Sequence, residues 1–483
     1  MKSYTSYSIM ALAGICMFLQ IVAAQEIPDR TRRPVAQKVP RVELPGIQKT
    51  RLKDGLAIWL VEQHELPIVA LNLVLQTGAD HDPLDKPGIA TMTAEVLDAG
   101  TKTMDALQIS EKLEFIGASL TVRSNFDGTF VNLVTLTKHF DEAIGVFADV
   151  VAQPTFPLKE FERLKKQRLT ALLQQRDRAA TIASLSFNHI IYGFNHPYGN
   201  DPSGTEKSLN AMTRDDLVTF YTTYYRPNNA TLIIVGDVTL KEIIPKLEKG
   251  FEQWTPGEIP SLQFASVPKT DAQRVYLIDK PGAPQSEIRI GYPALARTTP
   301  DFFPVIVMNR LLGGQFSSRL NMNLRERRGF TYGARSSFTF NKQPGPFVAS
   351  GGVTTAKTDS SIREFLYEID RMHREGVTAD ELEFSKKGLS GSFALSFETP
   401  GQIAGALQNI VLYNLPENYY ETYLHNIDKV SLDDVRRVTS AYLETSKMAV
   451  VVVGDNKIIK GGVEKLHLGE IVLCDVEGNK LAQ

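Results

Sequence analysis

Eight histidines are scattered along the chain, and no two of them stand three or four positions apart. A catalytic zinc site takes three protein ligands of His, Glu, Asp or Cys type, often two on one helical face at i and i+4. Only His189 and His196 approach a two-turn spacing, and Gly193 and Pro197 interrupt any helix that would carry both. A metal site on Glu95 or Asp98 is conceivable on paper, but carboxylates on an amphipathic helix ordinarily form a solvated face. Phosphate-cradling glycine loops are absent in both common forms, G-x-G-x-x-G and G-x-x-x-x-G-K-[ST]. The most specific string is LLGGQFSSRL at 311–320, followed by LRERRGFTY at 324–332.

These residues must be positioned by elements that occur twice. Positions 213–237 read TRDDLVTFYTTYYRPNNATLIIVGD, and 431–455 read SLDDVRRVTSAYLETSKMAVVVVGD, aligned without a gap. Each copy is an amphipathic helix, a break, and a continuous apolar run closed by Gly-Asp, the order of a helix followed by a buried strand. The stretch 381–394 (ELEFSKKGLSGSFA) likewise answers 160–173 (EFERLKKQRLTALL). Strands are predicted at 55–61, 68–76, 119–122, 129–137, 275–278 and 287–292, and helices at 88–97, 160–178 and 302–312, with a further helix towards 328. An Asp127-Gly128 turn joins the third and fourth strands. The economical architecture is α+β, two related halves, each a sheet backed by helices.

Composition is that of an ordinary globular protein, and a net charge of -2 gives no basic footprint for nucleic acid. The amino terminus differs. Lys2, an apolar run over 9–24 and small residues at Val22 and Ala24 have the order of a secretory signal peptide, too short for a comfortable membrane span. Ile15 before Cys16 does not fit a lipoprotein signal, and cleavage near Gln25 leaves Cys474 as the one cysteine, so no internal disulfide forms. The expected organisation is a signal peptide at 1–24, an extended lead-in at 25–45, a first domain at 46–254, a Pro-rich linker at 255–270, a second domain at 271–460 and a tail at 461–483. The mature chain is expected to be exported, periplasmic or secreted, with no stable membrane span.

The 311–332 string resembles the second half of the insulinase/pitrilysin-like metallopeptidases, whose zinc motif is the inverted H-x-x-E-H, with the short mitochondrial-processing-peptidase type the match in size. Gly78-Ala79-Asp80, His196-Pro197-Tyr198-Gly199 and the two Val-Gly-Asp strand ends agree in order, so the resemblance spans about 42–455. In that family the first half reads G-L-A-H-F-L-E-H-M-x-F-x-G-T; positions 88–101 here read GIATMTAEVLDAGT. The flanking glycines and threonine fix the register, so Thr91 and Glu95 stand for the two histidines and Ala94 for the glutamate base. The distal glutamate ligand falls at Ala171 or Leu172. No zinc is therefore expected in this chain.

The resemblance also makes Arg325 and Tyr332 the second-half contribution to the active site. A guanidinium and a phenol both donate to a peptide carbonyl oxygen as it becomes an oxyanion. Alternatively, Arg325 simply faces solvent and Tyr332 is a core aromatic. In short members of the family two chains close face to face around a clam-shell chamber. The implied function is the zinc-less partner subunit of an exported heterodimeric peptidase, inactive alone, with zinc and H-x-x-E-H in the catalytic partner and a peptide as substrate. The family's catalytic chains tend to carry Asn-Ala at an edge strand where this chain has Thr121-Val122, a departure from a substrate-receiving edge. A non-enzymatic scaffold on the same fold and a stand-alone peptidase with variant ligands are the other readings.

Overall fold

The computed structural model describes residues 46–268 and 271–482; the signal peptide and lead-in readings lie outside the described residues. Among the described residues, twelve strands form two sheets. The first contains β1 (Gln48–Arg51), β2 (Ala57–Glu62), β3 (Ile68–Leu75), β4 (Ser119–Ser124), β5 (Thr129–Leu136) and β6 (Ala230–Gly236), in the order β1-β2-β6-β3-β5-β4. The second contains β7 (Arg274–Asp279), β8 (Gln285–Leu295), β9 (Arg335–Phe338), β10 (Gly345–Thr354), β11 (Ala449–Gly454) and β12 (Glu470–Cys474), in the order β12-β7-β11-β8-β10-β9.

The repeat in the sequence is a repeat in the sheets. β6 and β11, the two runs closed by Gly-Asp, each pair parallel with the first long strand of their half, β2 or β7. Each also pairs antiparallel with the next, β3 or β8. Both are buried on both faces, which is why they read as unbroken apolar runs rather than alternating ones. Gly236 has φ +147°, and a Cβ there would meet Ile68 O at 2.2 Å, so the strand end requires glycine. The Asp that follows each glycine ties a neighbouring loop: Asp237 bonds His64 Nδ1 at 2.7 Å, and Asp455 accepts from the Gly282 N–H at 2.9 Å.

The helices that matter here are α1 (Ile89–Val96), α2 (Leu158–Gln175), α3 (Ala179–Tyr192), α4 (Arg214–Tyr224), α5 (Phe302–Leu312), α6 (Thr358–Glu375), α7 (Ala379–Phe393), α8 (Pro400–Tyr413), α9 (Tyr419–Lys429) and α10 (Leu432–Tyr442). The repeated helices α4 and α10 each start on a reciprocal capping box, Thr213 with Asp216 and Ser431 with Asp434. On α2, Phe161 is buried and Leu164, Leu169 and Leu172 pack against the core of the first half, while Leu173 is exposed.

Two helices cross between the halves. From the first half, α3 lays Ile182, Ala183, Phe187 and Ile191 against Val451, Val453 and Ile278 of the second sheet. From the second half, α8 lays Ile403, Leu407 and Ile410 against Val61, Val74, Ile233 and Val235 of the first. Each fully buried aliphatic side chain contributes about 1.5–3 kcal/mol, so the exchange binds the halves strongly. Residues 255–268 carry no helix or strand and fall between the sheets in sequence, yet the packing does not divide there.

One boundary is corrected. The stretch 461–483, read as a tail, includes β12, which extends the second sheet by pairing parallel with β7. Its five residues EIVLC are too short to show periodicity, and the buried Val472 and Cys474 belong to the cluster that α3 forms on the second sheet.

Candidate functional site

The first-half motif lies on α1. Gly88 precedes it, and the Asp82 carboxylate accepts from the Gly88 and Ala90 N–H groups at 2.6 and 3.0 Å, satisfying donors at the helix start. Along the helix, Thr91 Oγ1 donates to Pro202 O at 2.6 Å, Ala94 is buried, and Glu95 forms an ion pair with Arg168 of α2. Burial pulls the Arg168 guanidinium below its ordinary pKa, opposed by the Asp201 carboxylate. Ala171 and Leu172 follow Arg168 within about one turn of α2.

Zinc does not fit this arrangement. The threonine hydroxyl is committed to a carbonyl, alanine has no donor atom, and the one carboxylate is neutralised by a guanidinium. Among the described residues no three His, Cys, Asp or Glu side chains converge as a metal-binding group. Asp98 does not join Glu95 in a ligand set, and burial raises its pKa above the ordinary carboxylate value. Thr121 and Val122 lie on β4, which pairs only with β5 among the described residues and forms one margin of the first sheet.

The second-half string divides into inward and outward residues. Gly313 follows α5 where a Cβ would stand 2.1 Å from Ser336 N, so glycine allows the chain to press against β9. Arg319 grips Glu381 through three contacts of 2.8–3.1 Å and donates to Gly376 O at 2.9 Å, fastening the string to the α6–α7 connection. Asn321 bonds Phe316 O and the Ala334 N–H, closing the loop on itself. A π-helical turn then runs over Met322–Arg327, a geometry often found at functional positions. Beyond it, Thr331 Oγ1 donates to Gly352 O at 2.6 Å and pins the chain beside β10.

Arg325, Phe316 and Tyr332 point the other way. Tyr332 is 86% exposed and Phe316 62%. The Arg325 guanidinium carbon lies 4.9 Å from the Phe316 ring centroid, and Nε is 3.3 Å from Glu326. Tyr332 is therefore not a core aromatic. No hydrogen bond or ion pair among the described residues joins Arg325 or Tyr332 to Thr91, Ala94 or Glu95.

The other quoted motifs meet at a buried junction between the halves. Tyr198 Oη donates to Asp127 Oδ1 at 2.5 Å, and the Lys342 N–H donates to Asp127 Oδ2 at 3.0 Å. Lys342 Nζ donates to Gln76 O at 3.0 Å and lies 3.9 Å from Asp80 Oδ2. Burial raises the Asp127 pKa, with Tyr198 and Lys342 opposing it, and burial lowers that of Lys342. Gly78-Ala79-Asp80 and His196-Pro197-Tyr198-Gly199 thus serve a structural clasp. Sequence reasoning singled out neither Arg168 nor Lys342, because a single cation in a loop or on a helix has no periodic signal.

Comparison with known proteins agrees in both halves. A family model described as insulinase (peptidase family M16) matches residues 58–191, and one described as peptidase M16 inactive domain matches 211–389. A Helicobacter pylori protein named non-peptidase homolog YmxG is 26% identical over 399 residues, covering 82% of this chain and 91% of its own. Zinc protease PqqE of the same strain is 23% identical over 418 residues, covering 84% and 93%. A solved peptidase M16 inactive domain from Pseudomonas fluorescens superposes with TM-score 0.80 at 27% identity, covering 85% of this chain and 98% of its own.

Proposed function

This chain belongs to the insulinase (peptidase M16) family but has lost its zinc motif, and we propose that it is the metal-free subunit of an exported two-chain peptidase. A homologous partner carrying H-x-x-E-H brings the zinc and the general base. This chain brings Arg325 and Tyr332, which donate across a closed chamber to the scissile carbonyl oxygen as it gains negative charge. Substrate is a short or unfolded peptide, added as a strand to a sheet edge of the partner.

The observation that carries the reading is the outward presentation of Tyr332 and Arg325 on a segment, the π-helical turn and the residues after it, tied from behind by Arg319, Asn321 and Thr331. A purely structural tyrosine would be buried, and a rigid support is what a group acting on another molecule needs. The pairing is also supported by one Helicobacter strain having a relative named a non-peptidase homolog and another named a zinc protease.

The test is co-expression with an H-x-x-E-H homologue. A 1:1 complex by size-exclusion chromatography, active where neither chain alone cleaves peptide, is expected. In that complex Tyr332→Phe lowers kcat by about 10²–10³-fold with little change in KM, the usual cost of one oxyanion donor. Failure of the chains to associate refutes the partner role. Association with unchanged kcat in the variant instead supports the scaffold reading.

A further inference from the structure

A second cavity, separate from the Arg325 and Tyr332 surface, is open at the end of the edge strand β9. It has a volume of about 630 Å³ and lies between the start of α5, the end of α7, and α8 and α9. That is the size of a site for a small organic ligand or a peptide terminus. Its walls are aromatic: Phe302 and Phe340 meet at 4.8 Å, and Phe393 stacks on Tyr423 at 4.6 Å with ring planes 5° apart.

One cation faces this aromatic enclosure. The Arg297 guanidinium carbon lies 3.9 Å from the Phe302 ring centroid and 4.9 Å from that of Tyr419, and Nη2 donates to Tyr419 Oη at 2.7 Å. No carboxylate among the described residues pairs with it. Asp301, close in sequence, is committed to Arg437 at 2.8 Å and Tyr442 at 2.7 Å. Guanidinium carries five N–H donors in a planar fork suited to a carboxylate, and Arg297 uses one of them on a side chain. The rings hold the guanidinium plane, and no other side-chain acceptor among the described residues engages its remaining N–H groups.

We infer that this cavity binds an aromatic carboxylate, with the ring against the Phe and Tyr walls and the carboxylate on Arg297. A free aromatic acid and the C-terminal aromatic residue of a peptide both present that chemistry. The site is lined by this chain alone, so the inference stands independently of the two-chain reading.

Isothermal titration calorimetry on the mature chain tests it with matched ligands: N-acetylphenylalanine against its amide, and a pentapeptide ending in Phe as free acid against the C-terminal amide. The acids are expected to bind more tightly by about tenfold or more, the scale of one hydrogen bond between charged groups. Tighter binding of the peptide acid than of N-acetylphenylalanine assigns the peptide terminus; equal binding assigns the free acid. Arg297→Gln removes the preference for acids. Because Arg297 packs between two rings, Asn409→Trp provides a second variant: it fills the cavity from the exposed side of α8 and abolishes binding with the thermal transition unchanged. Equal affinity for acid and amide, a preference that survives Arg297→Gln, or no binding at millimolar ligand overturns the inference.

Discussion

Replacing Glu95 by Leu strands a cation. The Arg168 side chain is 16% exposed and that of Glu95 34%, so the pair lies between a surface salt bridge and a buried one. Exposed pairs contribute about 0–1 kcal/mol, whereas removing one partner of a buried pair costs about 3–5 kcal/mol. An intermediate cost of about 2–3 kcal/mol is expected for Glu95→Leu, because Arg168 is the deeper of the two and cannot easily reach water. Arg168→Met keeps the apolar stem and leaves the more exposed Glu95 to be solvated, so about 1 kcal/mol is expected. The double variant should recover part of the loss, with a coupling energy of about 1 kcal/mol or more. Urea unfolding followed by tryptophan fluorescence is a suitable assay, since Trp59 and Trp254 both report on the first half and Trp254 is buried with its indole N–H on Tyr225 O. Additive losses, or a costlier Arg168→Met than Glu95→Leu, would refute the argument that a stranded guanidinium sets the energy at this position.

Arg168 also bears on metal acquisition. Thr91→His, Ala94→Glu, Glu95→His and Leu172→Glu together are expected to bind no stoichiometric zinc while Arg168 remains, and to gain it once Arg168→Ala is added; elemental analysis of the purified variants checks this. Arg319→Ala should cost about 2–4 kcal/mol in urea unfolding, since it leaves the Gly376 carbonyl without its donor and Glu381 with only the Thr378 N–H. Asp301 gives a pH dependence: its Arg437 hydrogen bond holds the carboxyl below the ordinary value of 3.8, against its burial, with Tyr442 assisting. A depressed pKa contributes stability above 3.8 that is lost as pH falls through the folded value. Asp301→Asn should therefore destabilise at neutral pH, by a loss that shrinks below about pH 4, read from thermal unfolding as a function of pH.

Much of this was legible in the chain. The Val-Gly-Asp repeat gave β6 and β11 and the twofold plan, because strands buried on both faces leave unbroken apolar runs. The register of Gly88-Ile89-Ala90 and Gly100-Thr101 located Thr91, Ala94 and Glu95 on one helix. What filled the vacated position was not legible, since Arg168 sits on a different helix and its pairing depends on tertiary packing. Lys342 reaches Asp127 across 215 residues and Arg297 reaches Tyr419 across 122, separations at which a single sequence has no periodicity to read. The exchange of α3 and α8 escaped for a related reason. An apolar stripe shows that a helix is covered, not which sheet covers it.

That exchange has a consequence for how the protein must be made. All strands of the first sheet are complete once residue 236 has been synthesised, but the helix that covers Val61, Val74, Phe130, Ile233 and Val235 begins at Pro400. At typical elongation rates of about 5–20 residues per second, that apolar face waits roughly ten to thirty seconds for its cover. During that interval the nascent chain needs a holdase to shield the uncovered face. A gene fragment ending in the linker would give a product with one sheet face permanently bare, prone to aggregate however well its own strands pair.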